Sequence, residues 1–408
     1  GLHRRATFFF FFRVGLGEGM RPIGSLLRSV GHFSLATLIS RILGLVRDAS
    51  FTAFLSKEVA DAFWTGITLP STFRMLFAEG ALSAAFIPIL SRLRAQQSEE
   101  DAREFTRSVL GLLLIVVGIV VLLAILTAPI YVSLLFHKWE DRPGGIALAT
   151  QMVQMMFPFL LFISLSAWAM GILNAYGIFF LPAVSPAIYN LVVVGGAVFA
   201  GLRLSGVDRA YAMAIAVVAG GFSQFAVQVP TLYRHRYSLR ATFRDLHPET
   251  RTFLRALIPT VFGLAIYQIN VIVNRLYFGS YLEAGSITSL TCAFRLLQFP
   301  QGVLGIAVAT AALPRLSHDA LASSSHLFSD TMTRSLRVLI LILIPASVGL
   351  ILVSHDLVGI VYNRGEFRQD GLLTPTASAL VAYSIGLLFF SSGKLLTQGF
   401  YAYRDVKT

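Results

Sequence analysis

Charged side chains are scarce in this sequence, acidic ones especially, and cysteine is almost absent. Of the 408 residues, 13% are charged and 55% are hydrophobic, whereas about a quarter of the residues of a soluble domain are charged. A single cysteine, Cys292, excludes a framework of disulfides within the chain, and the Cys and His residues lack the spacing of a metal site. These deficits exclude an ordinary soluble domain, a disulfide-rich secreted protein and a metal-binding module.

Long apolar runs take the place of the missing charge. Ser108–Phe136 and Ser335–Ser354 are nearly uncharged, and each reaches the length of about 20 residues that crosses a bilayer core. Such runs predict an all-α polytopic membrane protein with about ten transmembrane helices. Pro70 and Pro300 should kink two of these helices. The predicted spans are residues 30–55, 60–90, 108–136, 147–175, 180–202, 209–232, 253–279, 284–313, 333–354 and 374–400.

Basic residues are unevenly distributed between the loops that join these predicted spans. Loops after even-numbered spans are rich in arginine, and loops after odd-numbered spans carry fewer basic residues. By the positive-inside rule, we predict a multi-pass membrane protein with its N-terminus in the cytoplasm. The same loops explain the net charge of +12. No run of Lys and Arg interleaved with aromatic residues predicts a nucleic-acid partner.

Basic side chains also lie inside the apolar segments, where each would cost about 2.5–3.5 kcal/mol at the centre of a lipid-facing helix. Only Asp48 and Glu79 clearly accompany them. We therefore predict a polar chamber between helices, and a chamber with a net positive charge should bind an anion. The basic residues in these segments are Arg41, Arg47, Arg74, Arg275, Arg295 and Lys394.

The chemistry of these side chains favours a phosphorylated substrate. Guanidinium groups meet the oxygens of a diphosphate with bidentate, charge-assisted hydrogen bonds, and such contacts strengthen in a low-dielectric chamber. No nucleophile–base set, paired carboxylates or metal-ligand cluster predicts an enzyme or a cofactor. A scaffolding membrane protein would have little reason to keep so many buried charges. Transport, which breaks no bond, is the remaining interpretation.

A weak internal repeat divides the chain. Phe73–Leu76 is similar to Phe294–Leu297, and Pro88–Ser91 is similar to Pro314–Ser317. Repeats of about six helices insert with the same orientation, which predicts two parallel lobes with a substrate site between them. The predicted divisions are a non-native or mis-assigned extension at residues 1–19, an N-lobe at 20–245 and an incomplete C-lobe at 246–408.

Several motifs together resemble the MurJ (MviN) family of lipid II flippases. The first is SRILGLVRD at Ser40–Asp48, and another is FAEGA at Phe77–Ala81. The resemblance runs from about Gly24 to the end of the chain, and the combination is much more specific than any single motif. The other matching segments are Asp61–Phe63, Leu69-Pro70 with Arg74, Ala85–Pro88, Phe299–Gly305, Pro314–Ser317, Gly399–Tyr401 and Asp405–Thr408.

This resemblance implies the two-lobed, fourteen-helix fold of the MOP exporter superfamily, of which about ten helices are expected here and the C-terminal ones are missing. It implies a flippase that moves the undecaprenyl-diphosphate-linked disaccharide-pentapeptide, lipid II, from the inner to the outer leaflet by alternating access. Membrane lipids and the cell-wall synthesis machinery are the other implied partners. The implied substrate-binding residues are Arg41, Arg47, Arg74 and Arg295, the gate or charge-balance residues are Asp48, Asp61 and Glu79, and Lys394 is a further cavity candidate.

Two departures and two alternatives accompany the resemblance. Phe294 and Gln298 stand where the family commonly has acids near the eighth-helix arginine, so Arg295 is expected to lack its usual ion pair. A polysaccharide-lipid flippase of the O-antigen type has a similar polyprenyl-diphosphate substrate, which the arginines alone do not distinguish from lipid II. A drug/cation antiporter of the same superfamily would need acids in the chamber, where basic residues predominate.

Overall fold

Helices make up all the regular structure that is described. The computed structural model of the chain describes residues 23–76, 83–139, 145–244, 246–302, 306–321 and 325–402. No strand occurs within these ranges. The predicted all-α fold is therefore confirmed. The prediction for residues 1–19 lies outside the described residues.

The first part of the chain forms a bundle of long helices and shorter companions. We call helices α1–α10 the first bundle. They are α1 (Ile23–Phe54), α2 (Lys57–Arg74), α3 (Ser83–Gln96), α4 (Glu99–Leu135), α5 (Gly145–Met156), α6 (Phe159–Ala175), α7 (Phe180–Arg203), α8 (Gly206–Ala226), α9 (Val229–Arg234) and α10 (Glu249–Ile272).

The remaining helices form the second bundle. A π-helical turn at Val273–Tyr277 and the short α11 (Phe278–Ser280) connect it to α10. We call helices α12–α17 the second bundle. They are α12 (Ser286–Pro300), α13 (Ile306–Leu321), α14 (Ser325–Leu352), α15 (Ser354–Tyr362), α16 (Gly365–Gln369) and α17 (Leu373–Ala402).

The hydrophobic core is divided in the same way. One cluster of buried residues extends along the chain from Phe51 to Ile287. The other extends from Cys292 to Leu395. We refer to the two bundles as lobes; they meet where Ile287 of α12 joins the first cluster and where Leu45 and Ala49 of α1 pack against the second.

Within the described ranges, seven helical segments are long and apolar enough to cross a membrane. They match the predicted spans at 108–136, 147–175, 180–202, 209–232, 253–279, 333–354 and 374–400. The other predicted spans, at 30–55, 60–90 and 284–313, are helical over much of their described residues, and each contains at least one of the basic residues predicted to face the chamber.

Local sequence signals explain several helix starts and close contacts. The Ser98 hydroxyl accepts a 3.0 Å hydrogen bond from the Asp101 amide, and the Asp101 carboxylate accepts a 3.2 Å bond from the Ser98 amide, a capping box that begins α4. Small residues let helices approach closely, as is usual in membranes. Gly196 of α7, for example, packs directly against Ala216 of α8.

Candidate functional site

A polar cavity of about 500 Å³ lies between the two bundles. Its wall is formed by α1, α2, α6, α7 and α8 of the first bundle and by α12 and α17 of the second. The described lining residues include no Asp or Glu. The structure therefore brings together the predicted basic site residues, which lie far apart in the sequence. They are Arg41, Arg47, Arg74, Arg295 and Lys394.

Asp48 links two of these arginines across the lobes. Its Oδ1 atom accepts hydrogen bonds of 2.8 and 2.6 Å from Nε and Nη2 of Arg47. Its Oδ2 atom accepts a 2.6 Å bond from Nε of Arg295. The Asp48 side chain is only 1% exposed. One buried carboxylate of α1 thus holds a guanidinium from each lobe, and the three groups together keep one net positive charge.

Arg295 does have an ion pair, contrary to the expectation from the missing family acids. Asp48 supplies the carboxylate from the other lobe. Gln298, which stands at one of the positions where the family commonly has an acid, accepts a 3.3 Å hydrogen bond from Nη1 of Arg295. The acids common in the family would lie on the same helix as Arg295, whereas Asp48 lies on α1.

Asn190 of α7 fixes the other side of Arg47. Its Oδ1 atom accepts a 3.0 Å hydrogen bond from Nη1 of Arg47. Its Nδ2 atom donates a 3.0 Å bond to the carbonyl of Ser40. The Arg47 guanidinium also lies 5.6 Å from the centre of the Tyr189 ring, within the range of a cation–π interaction. Arg47 is therefore held in one orientation at the cavity wall.

Arg41 extends from α1 to the opposite lobe. Its guanidinium lies against Gly302, which follows α12: a Cβ atom added at Gly302 would lie 3.0 Å from Cζ of Arg41. Arg41 and Lys394 are both exposed, as expected for side chains that face a hydrated cavity. Arg41 is therefore available to a ligand in the cavity.

Arg74 is the last residue of α2 and lines the same cavity. Glu79, which was predicted to accompany it, lies outside the described residues, as does the side chain of Arg275. Pro70 lies one turn before Arg74, inside α2. The arginine thus occupies a helix end beside the cavity.

Asp61 lies outside the cavity lining and joins the lobes directly. Its carboxylate accepts hydrogen bonds from the amide of Gly285 at 2.7 Å and from the amide and hydroxyl of Thr288 at 2.8 and 2.7 Å. These groups belong to the first turn of α12, where a carboxylate is stabilised by free amides and the helix dipole. Gly285 has a φ of 91°, which a residue with a side chain rarely adopts. Asp61 is 1% exposed.

Further contacts between the lobes lie at the ends of α1 and α2. The Lys57 amide donates a 2.6 Å hydrogen bond to Oδ2 of Asp370. Arg209 donates a 3.1 Å bond to the carbonyl of Phe54 and lies 3.5 Å from Glu366. Burial raises the pKa of the Asp370 carboxyl, against the opposing effect of the Lys57 amide. Together with Asp61, these contacts close the lobes at one end of the molecule.

Sequence reasoning missed the neutral polar residues of the cavity wall and the contacts of α16. Each neutral residue is a polar side chain within an apolar helix, and this contrast is the signal that could have identified it. The α16 contacts had none, because Arg209 and Glu366 are far apart in sequence and each looks like an ordinary loop residue. The missed wall residues are Asn190, Gln224 and Gln301.

Comparison with known proteins gives the family. The family model described as "Lipid II flippase MurJ" matches residues 51–408. A lipid II flippase MurJ of Burkholderia cenocepacia is 33% identical over 389 residues, which cover 94% of this chain and 75% of that protein. A probable lipid II flippase MurJ of Vibrio cholerae is 33% identical over 391 residues, which cover 94% of this chain and 74% of that protein.

Solved structures show the same architecture. A lipid II flippase MurJ in an inward closed conformation matches with a TM-score of 0.76 at 27% identity, over 92% of this chain and 76% of that one. An inward-facing multidrug transporter of the MATE family in the MOP superfamily matches with a TM-score of 0.72 at 13% identity, over 90% of this chain and 82% of that one; this second likeness concerns the fold alone. The two-lobed, multi-pass exporter fold is thereby confirmed, and the chain belongs to the lipid II flippase MurJ family.

Proposed function

We propose that this protein is a flippase that moves lipid II from the inner to the outer leaflet of the cytoplasmic membrane. Its substrate is the undecaprenyl-diphosphate-linked disaccharide-pentapeptide. The observation that carries the proposal is the cavity itself: basic side chains from both lobes face it, and no carboxylate is among its described lining residues. The family supplies the identity of the substrate.

The charge of the cavity suits a diphosphate. The Asp48 carboxylate beside the cavity is already shared between Arg47 and Arg295. Arg41 and Lys394 add further positive charge at the cavity surface. Planar guanidinium groups bind phosphate oxygens in pairs, and the low dielectric between the lobes strengthens each contact relative to water. The cavity therefore offers a charged headgroup contacts that replace the hydrating water it loses on leaving the aqueous surface.

The arginine-rich loops support a side of the membrane for the end at which the lobes are in contact. Asp61, Lys57 and Arg209 join the lobes where α1 ends and α2 begins. With a cytoplasmic N-terminus, as the arginine-rich loops favour, this end faces the periplasm. The structure then represents a state closed to the periplasm, which agrees with the inward closed conformation of the similar MurJ structure.

Binding of the substrate provides a reason for the lobes to separate at that end. Phosphate oxygens compete with Asp48 for the guanidinium groups of Arg47 and Arg295. When Arg295 exchanges Asp48 for phosphate, the hydrogen bond between α1 and α12 is lost. A ligand shifts a conformational equilibrium only through such differential contacts. Alternating access in this protein thus depends on the exchange of one shared carboxylate for a diphosphate.

The alternatives lack a supporting observation of their own. A drug/cation antiporter would place its cation among arginines without a carboxylate in the described lining. An O-antigen-type flippase requires the same diphosphate chemistry, and the family match favours lipid II. The enzymes of cell-wall synthesis that make and consume lipid II are the proposed partners on the two sides of the membrane.

Charge reversal tests the proposal. Purified protein in liposomes that contain lipid II should translocate it, and the double variant Arg41→Glu/Arg74→Glu should not. Arg337→Glu is the matched control, because Arg337 is exposed on α14 and does not line the cavity. In cells depleted of the protein, lipid II should become inaccessible from the periplasm until the gene is restored. Undiminished translocation by the double variant would contradict the proposal.

A further inference from the structure

The wall of the basic cavity changes in character where α6 and α8 form it. The basic lining residues lie on α1, α2, α12 and α17, whereas α6 and α8 contribute Phe159, Ile163 and Gln224. We call these three residues the neutral wall. Among the described lining residues, those of α6 and α8 carry no charge. A headgroup that fills the cavity therefore meets a basic surface and a neutral one, and the neutral one belongs to the first bundle alone.

Two consecutive glycines of α8 bring the parts of the neutral wall together. Gly221 packs against the ring of Phe159, because a Cβ atom added at Gly221 would lie 2.7 Å from Cδ2 of that ring. Gly220 packs in the same way against the ring of Tyr189, at 2.8 Å. Gln224 follows within about one turn and lies on the same face of the helix. The close approach of α8 thus places the amide of Gln224 beside the apolar side chains of α6.

The amide groups of the cavity wall differ in what they bind. Asn190 accepts a hydrogen bond from Arg47, and Gln298 accepts one from Arg295. These two amides therefore serve the arginines. The Gln224 side chain is half-buried and lines the cavity, and among the described residues none forms a hydrogen bond with its amide group. Gln224 is thus available to a ligand as both a donor and an acceptor.

A carboxamide recognises a group for which a guanidinium is a poor partner. The carboxamide both donates and accepts hydrogen bonds, whereas the guanidinium only donates them. An acetamido group presents a carbonyl oxygen, an N–H and a terminal methyl. Gln224 can pair with the two polar atoms, and the methyl can rest on Phe159 and Ile163, which are 5% and 4% exposed. The neutral wall therefore matches an acetamido group in its polar and its apolar part.

Tyr189 of α7 lies between the arginines and the neutral wall. The Arg47 guanidinium lies 5.6 Å from the centre of the Tyr189 ring. The centre of the Phe159 ring lies 5.6 Å from the same point. A phosphate held by Arg47 is thus separated from the neutral wall by about the width of one aromatic side chain. The sugar that is joined directly to the diphosphate is the part of the substrate that bridges such a gap.

We propose that the neutral wall binds the acetamido group of the sugar that is joined to the diphosphate, and that Gln224 determines this preference. The inference rests on the proposed function, because a diphosphate at the arginines is what places the sugar beside α6 and α8. Charge-assisted contacts to phosphate are stronger than hydrogen bonds between neutral groups. The arginines therefore provide most of the affinity, and the neutral wall discriminates between diphosphate lipids that carry different sugars.

Two lipids that differ only in this group test the proposal. Undecaprenyl diphosphate that carries N-acetylglucosamine, the same lipid with glucose, and undecaprenyl diphosphate without a sugar are each titrated into purified protein. The parent should bind the N-acetylglucosamine lipid about three- to tenfold more tightly than the glucose lipid, the effect of a neutral hydrogen bond. Gln224→Met should lose this preference and bind the glucose lipid as the parent does. Gln154→Met is the matched control, because Gln154 lies in α5 and does not line the cavity.

The three lipids separate a failure of this inference from a failure of the proposed function. If the parent binds none of them, the diphosphate site itself is refuted. If the parent binds all three but binds the two sugar lipids equally, the acetamido contact is refuted and the diphosphate site stands. Retention of the preference by Gln224→Met would refute the role of Gln224. The preference of the parent is measured without any substitution, and an unchanged melting temperature of Gln224→Met distinguishes lost recognition from unfolding.

Discussion

Replacement of Gly302 by alanine should weaken diphosphate binding and leave the fold intact. A Cβ atom at this position would lie 2.9 Å from Nη2 and 3.0 Å from Cζ of Arg41, closer than carbon and nitrogen atoms approach without contact strain. Arg41 is exposed to the cavity, so its flexible side chain can move away at little cost to stability. Its guanidinium then leaves the position beside α12 from which it reaches both lobes.

The size of the effect follows from the contact that is lost. A charge-assisted hydrogen bond contributes about 1.5–3 kcal/mol, which corresponds to a loss of about 10- to 150-fold in affinity. The fold itself should not suffer, since the atoms that the new Cβ would meet belong to the flexible end of the Arg41 side chain. Binding should therefore weaken while stability stays close to the parental value.

The assay is the affinity of purified protein for lipid II, measured together with thermal unfolding. Gly349→Ala is the matched control: Gly349 lies in α14, where an added Cβ atom would meet no described atom within 4 Å. Lipid II affinity should fall for Gly302→Ala and stay at the parental value for Gly349→Ala. If Gly302→Ala binds lipid II as tightly as the parent, Arg41 does not bind the substrate from the position seen here.

Three further changes address the contacts between the lobes. Asp48→Asn leaves Arg47 and Arg295 without a carboxylate. The free energy of unfolding should fall by about 3 kcal/mol, the lower end of the range for a broken buried ion pair. An unchanged free energy of unfolding would refute the shared pairing. Asp61→Ala removes the cap of α12, worth about 1 kcal/mol. The start of α12 should then open more often, so a thiol reagent should label the buried position of Ser289→Cys faster, in a Cys292→Ser background. The pKa of Asp370 is raised in the closed state by burial. Closure should therefore be favoured below the ordinary Asp pKa and weaken as pH rises through the raised value, and Asp370→Asn should abolish this dependence.

The positions of most membrane helices along the chain were predictable from the sequence, because hydropathy and length decide which segments cross a membrane. The grouping of the basic residues was predictable for the same energetic reason, since Arg41 and Arg295 have no place on a lipid-facing surface. The membrane helices thus follow from hydropathy, and the existence of a basic chamber follows from the cost of burying charge.

The detailed pairing was not predictable. The sequence associates Asp48 with its neighbour Arg47, and nothing local indicates that its second oxygen serves Arg295 in the other lobe. Asp61 likewise looks like a charge beside a cavity and is a helix cap. Contacts between distant segments depend on how the lobes dock, and a helical pattern contains no signal for docking.

The central claim is that the arginines of the cavity bind the diphosphate of the substrate. The most direct measurement compares the affinity of purified protein for lipid II and for an analogue in which a neutral linker replaces the diphosphate. The account expects the neutral analogue to bind at least about 100-fold more weakly, as the loss of two charge-assisted contacts requires, and expects Arg295→Gln to weaken binding of lipid II alone. Equal affinity for the two molecules would contradict it.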